Sequence, residues 1–219
     1  MPELGFIFDW DGVIVDSSFL HEKSWEALAQ EIDRPIPQNH FKQGFGKRNE
    51  IIIPKILKWS KDGQQVKLWG KRKEELYRKF AKEAGIQLLT GMKEFLKDMQ
   101  RYQIPAVIGT STSKENIALA FEQLGIENFF IGAICSEDVT RGKPDPEVFL
   151  KAAKLLQLPP VQCVVFEDST HGIKAARAGG MKAVGIKTSQ TATALCEAGA
   201  HILFDTPKEL TIRSIQELM

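Results

Sequence analysis

The sequence predicts an α/β fold: a doubly wound parallel sheet with helices on both faces and a block of helices inserted after its first strand. Three observations predict it. Short apolar runs, each ending at a polar or charged residue, recur along the chain. Helical patterns alternate with those runs over residues 86–219. Residues 16–85 instead carry helical periodicity and no convincing strand run, far more chain than one crossover helix needs.

Taken in order, Gly5 to Asp9 (GFIFD) is apolar and too brief for a helix, so it reads as a buried strand ending in a carboxylate. Ala106 to Ser111, Ile131 to Ser136, Gln162 to Asp168 and Met181 to Lys187 read in the same way. Helices are expected between them at Gly91 to Tyr102, Lys114 to Leu124, Pro146 to Leu156 and Thr170 to Ala178. Amphipathic patterns near Phe19 to Glu31, Glu50 to Trp59 and Gln65 to Ala84 fill the insertion. Two placements suit these helices, over the strand ends or along the flank of the sheet; the connection length favours the first. The expected division is a Rossmann-like core of residues 1–15 and 86–219 and a helical cap of residues 16–85.

Composition narrows the function. Of 219 residues, 43% are hydrophobic and 26% charged, an ordinary globular balance, and no apolar run reaches the ~20 residues of a membrane span. With 29 Lys plus Arg against 28 Asp plus Glu, the net charge of +1 gives no general case for nucleic acid or an anionic membrane, so any anion site must be local. Cys135, Cys163 and Cys196 are too few and scattered for a disulfide framework. Met-Pro-Glu-Leu followed by a run broken by Asp9 and Asp11 lacks the pattern of a signal peptide, so a reduced, cytoplasmic setting is expected, with the chain acting as a monomer.

Candidate chemistry gathers at the predicted strand ends. Asp9-Trp10-Asp11-Gly12 puts two carboxylates two residues apart, pointing the same way if the chain stays extended, and Gly12 allows a sharp turn. Glu167-Asp168 adds acidic groups at the same sheet edge if the strands are parallel. Such a cluster repels itself without a counter-charge, and all-oxygen ligation points to Mg²⁺. A plainer role is also open, with Asp168 or Ser169 capping the helix near Thr170. Lys143 sits in the loop Arg141-Gly142-Lys143-Pro144-Asp145-Pro146, where an ammonium can balance carboxylates and a phosphate; Asp145 is placed to cap the next helix. Thr110-Ser111-Thr112-Ser113 offers hydroxyls and backbone N–H groups to a small anion, or simply a helix cap.

These four segments, in this order, resemble the motifs of the haloacid dehalogenase superfamily, and more narrowly the branch containing β-phosphoglucomutase and many small phosphatases, over essentially the whole chain. The resemblance implies that Asp9 is a nucleophile forming an aspartyl-phosphate and that Asp11 is the general acid and base. It implies a Mg²⁺ cofactor held by Asp9, the Asp11 carbonyl and Asp168, with Glu167 as a ligand or just behind one. Lys143 and Ser111 or Thr110 would steady the phosphoryl group, with Thr112 beside them; the TSTS run allows two registers, and Ser111 is favoured. His21 and Trp25 match a His and a Trp of the mutases, the His there gating the acid and base. Lys47, Arg48 and Lys73 are candidates for a second anionic group, although a charged helix face is usually just solvated.

The implied partner is a small phosphorylated metabolite, with sugar phosphates among the candidates. The implied activity is Mg²⁺-dependent phosphatase, with a phosphoglucomutase-like transferase as the alternative. Two departures from the mutase pattern favour the phosphatase. One is the offset of Arg48 within Gly44-Phe45-Gly46-Lys47-Arg48-Asn49-Glu50. The other is Glu115, at the position where the mutases carry a substrate-binding Asn.

Overall fold

The computed structural model describes residues 4–44 and 46–219. Phe45, part of the Gly44 to Glu50 segment, and Met1 to Glu3 lie outside them. Six strands form one parallel sheet: β1 (Gly5–Phe8), then, beyond a pair of two-residue strands β2 (Val15–Asp16) and β3 (Gln87–Leu88), β4 (Ala106–Gly109), β5 (Ala133–Ile134), β6 (Cys163–Glu167), β7 (Lys182–Ile186) and β8 (Ile202–Phe204). The order is β5-β4-β1-β6-β7-β8, with every neighbouring pair parallel. The winding direction reverses beside β1. In doubly wound sheets the crevice at that reversal, outside the carboxyl ends of the strands, is where ligands bind.

Alternation along β1 builds both faces of the core. Phe6 and Phe8 point to one side, where they meet Phe95 and Phe166; the Phe8 and Phe166 rings stack at 4.5 Å between centroids. Ile7 points to the other side, against Val107, Phe149 and Val165. The helices α5 (Met92–Arg101) and α6 (Lys114–Leu124) cover the first face, and α7 (Glu147–Leu156), α8 (Thr170–Ala178) and α9 (Ala192–Ala198) the second. The chain closes with α10 (Ile212–Gln216) against the first face.

The insertion is helical. It comprises α1 (Ser18–Glu31), α2 (His40–Gly44), a short turn α3 (Asn49–Ile51) running into a π-helical turn over Ile52–Leu57, and α4 (Gly63–Ala84). Trp25, Leu28, Ile53, Trp59, Val66 and Leu76 give it an apolar core of its own. Asp62 caps α4 by accepting from the Gln65 N–H. The two chain segments that join insertion to sheet pair with each other, Val15 opposite Leu88 and Asp16 opposite Gln87, in the antiparallel ribbon β2–β3.

Several expectations are corrected. The run Ile131 to Ser136 yields only the two-residue β5, and Ser136–Asp138 turns as a 3-10 helix, because this is the edge of the sheet with one neighbour to pair with. The ribbon β2–β3, edge strand β8 and helices α9 and α10 have no counterpart in the sequence reading; each is shorter than the window over which periodicity is legible. The three cysteines are unpaired. Among the described residues, no helix is long and apolar enough to cross a membrane.

Phe166 is fully buried against Phe6, Phe8 and Phe95. Phe166→Ala should therefore lower the unfolding free energy by about 3–5 kcal/mol. Urea denaturation of the variant beside the parent chain measures this.

Candidate active site

Asp9 follows β1, and its N–H is held by the Phe166 carbonyl of β6 at 2.9 Å. The chain then turns instead of staying extended. The Trp10 carbonyl accepts from Ile14 at 2.9 Å, and Gly12 adopts a φ of 77°, a conformation costly for any side chain. Asp9 and Asp11 thus line one cleft, as the spacing predicts, but their carboxylates turn to different partners.

Asp9 faces the ends of β1 and β6. The Lys143 ammonium stands 3.0 Å from its Oδ1 and donates a 2.6 Å hydrogen bond to Glu167 Oε1, buried with both. Glu167 Oε2 accepts from the Ser169 N–H at 2.7 Å, so Glu167 is spoken for at both oxygens. Ser169 caps α8 by accepting from the Gly172 N–H at 3.0 Å, which leaves the Asp168 carboxylate out of the cap. The Thr188 hydroxyl donates to the Gly12 carbonyl at 2.5 Å and lies 3.2 Å from Asp168 Oδ2, and Ser189 donates to the Asp168 carbonyl. Asp168 Oδ1 is buried with no hydrogen-bond partner among the described residues.

Burial drives the protonation of this cluster. It raises Asp9 to about 7, with Glu167 and Asp11 adding to the rise and Lys143 opposing it. Burial, Glu167 and Asp9 together push Asp168 well above the carboxylate range. Lys143 loses solvation yet is held charged by Asp9 and Glu167. Asp9, Glu167 and Asp168 each offer an oxygen within 4.8 Å of the others. An all-oxygen, buried, electron-rich set with an orphaned Asp168 oxygen fits a hard divalent cation such as Mg²⁺.

Asp11 turns to the insertion. Its Oδ1 accepts from Ser17 Oγ at 2.6 Å and meets His21 Nε2 at 3.1 Å. Lys73, buried on α4, places Nζ 2.6 Å from His21 Nδ1; an ammonium can only donate, so Nδ1 accepts and Nε2 carries the hydrogen given to Asp11. Burial tends to raise Asp11, but His21, Ser17 and Lys73 outweigh it and hold the group below its ordinary range. Tyr77 stacks on His21 at 4.2 Å, and Trp25 lies 5.4 Å from the Lys73 ammonium.

On the sheet side, Thr110, Ser111 and Thr112 line the cleft. Thr110 is buried and its hydroxyl accepts from the Thr112 N–H at 3.2 Å, whereas Ser111 is partly open and its hydroxyl has no partner among the described residues. Asp145 accepts from the Glu147 N–H at 3.0 Å at the start of α7, with Pro146 just before the helix. Lys47 lines the cleft. Arg48 is not among the lining residues; it donates to the Val139 carbonyl at 3.4 Å and packs over Gly142. Glu115 is exposed on α6.

The sequence reading missed Ser17, His40, Asn49, Glu74, Asn116 and Thr188. Glu74 accepts from Asn49 at 2.9 Å and from Asn116 of α6 at 2.7 Å, and Arg78 donates to Asn116 Oδ1 at 3.0 Å, so the insertion is tied to the core through a buried amide. Only Thr188 carried a usable signal, a polar residue just after an apolar strand run.

This geometry has close relatives. Residues 4–180 match the haloacid dehalogenase-like hydrolases. The chain is 38% identical over 218 residues to the chloroplastic 5-amino-6-(5-phospho-D-ribitylamino)uracil phosphatase of Arabidopsis thaliana, a match that takes in 98% of this chain and 55% of that protein, so the chain spans just over half of this relative's length. It is 30% identical to the β-phosphoglucomutase of Bacillus subtilis over 96% of this chain and 93% of that one. The crystal structure of a β-phosphoglucomutase from Clostridium difficile superposes with a TM-score of 0.86 at 27% identity, covering 99% and 96% of the two chains. The chain belongs to the haloacid dehalogenase-like hydrolase family, in its β-phosphoglucomutase-like branch.

One glycine makes the Lys143 arrangement feasible. A Cβ at Gly172 would stand 1.7 Å from Glu167 Oε1. Gly172→Ala should displace the carboxylate that anchors Lys143, costing about 1–3 kcal/mol of stability and lowering turnover. Urea melts and steady-state assays of the variant check both.

Proposed function

We propose that the protein is a Mg²⁺-dependent phosphatase that hydrolyses a small phosphorylated metabolite through an aspartyl-phosphate on Asp9. One observation carries the reading. Two carboxylates two residues apart have opposite surroundings: Asp9 is set beside Lys143 and the acidic cluster, and Asp11 is held by donors from the insertion. One is placed to attack, the other to move protons.

In this mechanism Asp9 attacks phosphorus in its ionised form, which Lys143 and a bound cation favour against burial, so no separate base is needed. Lys143 and the Ser111 hydroxyl steady the phosphoryl oxygens. Asp11 gives its proton to the departing alkoxide, then takes one from the water that hydrolyses the phosphoenzyme. Asp9 and Asp168, with the Asp11 carbonyl, would hold Mg²⁺, and Glu167 would act behind them by fixing Lys143. The bound ion would offset the negative charge of the phosphate and carboxylates.

The substrate class we favour is a phosphate ester on a sugar or sugar-like chain. The Arabidopsis relative's named substrate carries its phosphate on a ribityl chain. The position of Arg48, turned to the Val139 carbonyl and away from the cleft, supports hydrolysis over the mutase alternative, in which that Arg would grip a second phosphate.

Asp9→Asn should abolish phosphate release from an aryl phosphate while leaving the thermal melt in place, because an amide cannot attack. Asp11→Asn should lengthen the life of the phosphoenzyme, which in the parent enzyme should hydrolyse without any sugar phosphate present. Rapid-quench transfer from a labelled donor reads both. A long-lived parent phosphoenzyme that passes its phosphate to β-glucose 1-phosphate would establish the mutase instead.

The metal has its own signature. A carboxyl raised to about 7 in the folded, metal-free protein gives a stability contribution present in full at pH values below its unfolded pKa. That contribution fades as pH climbs toward the folded value. Mg²⁺ competes with the same proton, so its rise in Tm should be larger at about pH 8 than at about pH 5. Differential scanning fluorimetry with and without Mg²⁺ measures this; equal shifts at both pH values would show that no raised carboxyl of the cluster gives up its proton to the metal.

A further inference from the structure

His40 opens α2, is buried, and lines the cleft on the side of the insertion. Its two ring nitrogens have different surroundings. Nδ1 lies 2.9 Å from the Pro37 carbonyl oxygen, which can only accept, so Nδ1 carries a hydrogen and donates it. In the neutral ring, Nε2 is then a bare acceptor. This nitrogen is shielded from solvent and has no hydrogen-bond partner among the described residues. A buried polar atom left unmatched is unfavourable and asks for a donor.

Among the described residues no other polar group of the cleft supplies that donor, and Lys47 gives its hydrogen bond to the Gln43 carbonyl. Asn49 donates to Glu74, and Lys73 donates to His21 and Glu74. A phosphate dianion cannot supply it either, since its oxygens accept and would face a lone pair. On the phosphatase reading the phosphoryl group lies against Asp9 and Ser111 at the sheet, whereas His40, like Trp25 and Ile52, lines the cleft from the insertion, where the organic part of a substrate would lie.

We infer that His40 Nε2 is a specificity-determining acceptor for a hydroxyl or N–H donor on the alcohol portion of the substrate, so that the enzyme selects phosphate esters of polyols over esters of plain alkyl alcohols. The inference rests on the phosphatase reading and adds the group that discriminates among esters. A substrate without a donor leaves Nε2 unmatched in the closed cleft, the situation in which a site built to hydrogen-bond its ligand rejects a lookalike most strongly.

The test compares ribitol 5-phosphate with pentyl phosphate, two esters of equal chain length with and without hydroxyls. In the parent enzyme, kcat/KM should favour ribitol 5-phosphate. In His40→Phe that preference should fall roughly tenfold, the size of one lost hydrogen bond. His40→Gln, whose amide oxygen can accept at the position of Nε2, should restore part of it. A variant that loses activity on both esters in the same proportion shows His40 to be structural and overturns the inference, while the phosphatase reading stands. A parent enzyme that hydrolyses neither ester, nor any aryl phosphate, overturns both. Histidine ¹⁵N spectra of the Asp9→Asn protein give a readout independent of turnover. His40 should show the Nδ1–H tautomer, with Nε2 shifting on addition of ribitol 5-phosphate more than on addition of pentyl phosphate. An Nε2–H tautomer, or equal shifts with the two esters, overturns the assignment.

Discussion

Three carboxylates and one ammonium are buried together where β1 and β6 end, and the local architecture answers to that imbalance. Asp9, Glu167 and Asp168 outnumber Lys143, and burial raises the cost of every unpaired charge. Lys143 cannot satisfy all three. It bonds to Glu167, stands close to Asp9 and leaves the Asp168 carboxylate beside the Thr188 hydroxyl of the loop after β7. The parallel order brings these groups together, since β1 and β6 are neighbours and both end at the same edge. A fold that placed either strand antiparallel would separate the charges and with them the reason to bind a cation.

The insertion has a different task, and its charges are arranged accordingly. Lys73 and Glu74 are adjacent on α4 yet serve opposite neighbours. Lys73 fixes the His21 tautomer through Nδ1, and Glu74 reaches the core through Asn116. Docking of the helices on the sheet and presentation of His21 to Asp11 therefore depend on one turn of one helix. The ribbon β2–β3, where both connections between insertion and sheet meet, keeps that turn in register with Asp11.

Much of this was legible in the sequence because strand ends in a doubly wound sheet announce themselves as apolar runs that stop at polar residues. Asp9, Asp11, Thr110, Ser111, Lys143 and Asp168 all sit where such runs or their loops end. What remained hidden depends on contacts between distant segments. His40 follows no run, Asn116 sits on a helix that reads as ordinary, and Glu74 looks like one more charge on a solvated face. Ser17 directly follows the strand β2, which is itself too short to be recognised. Arg48 shows the converse: its place in the sequence suggested an anion grip, and packing over Gly142 carries it to the Val139 carbonyl instead.

The Asp11 carboxylate illustrates how position and protonation can be separated. Both of its donors, Ser17 and His21, converge on Oδ1, and Oδ2 has no partner among the described residues. In the ionised form the two donors stabilise the charge, which holds the group below its ordinary pKa. With a proton on Oδ2, Oδ1 is a carbonyl oxygen with two lone pairs and keeps both donors. The side chain is thus held in one orientation in either state, and neither His21 nor Ser17 has to turn. In the mechanism we propose, Asp11 donates in one half of the reaction and accepts in the other, and that role needs this independence. Had the donors been shared between the two oxygens, each change of protonation would have broken a bond to the insertion.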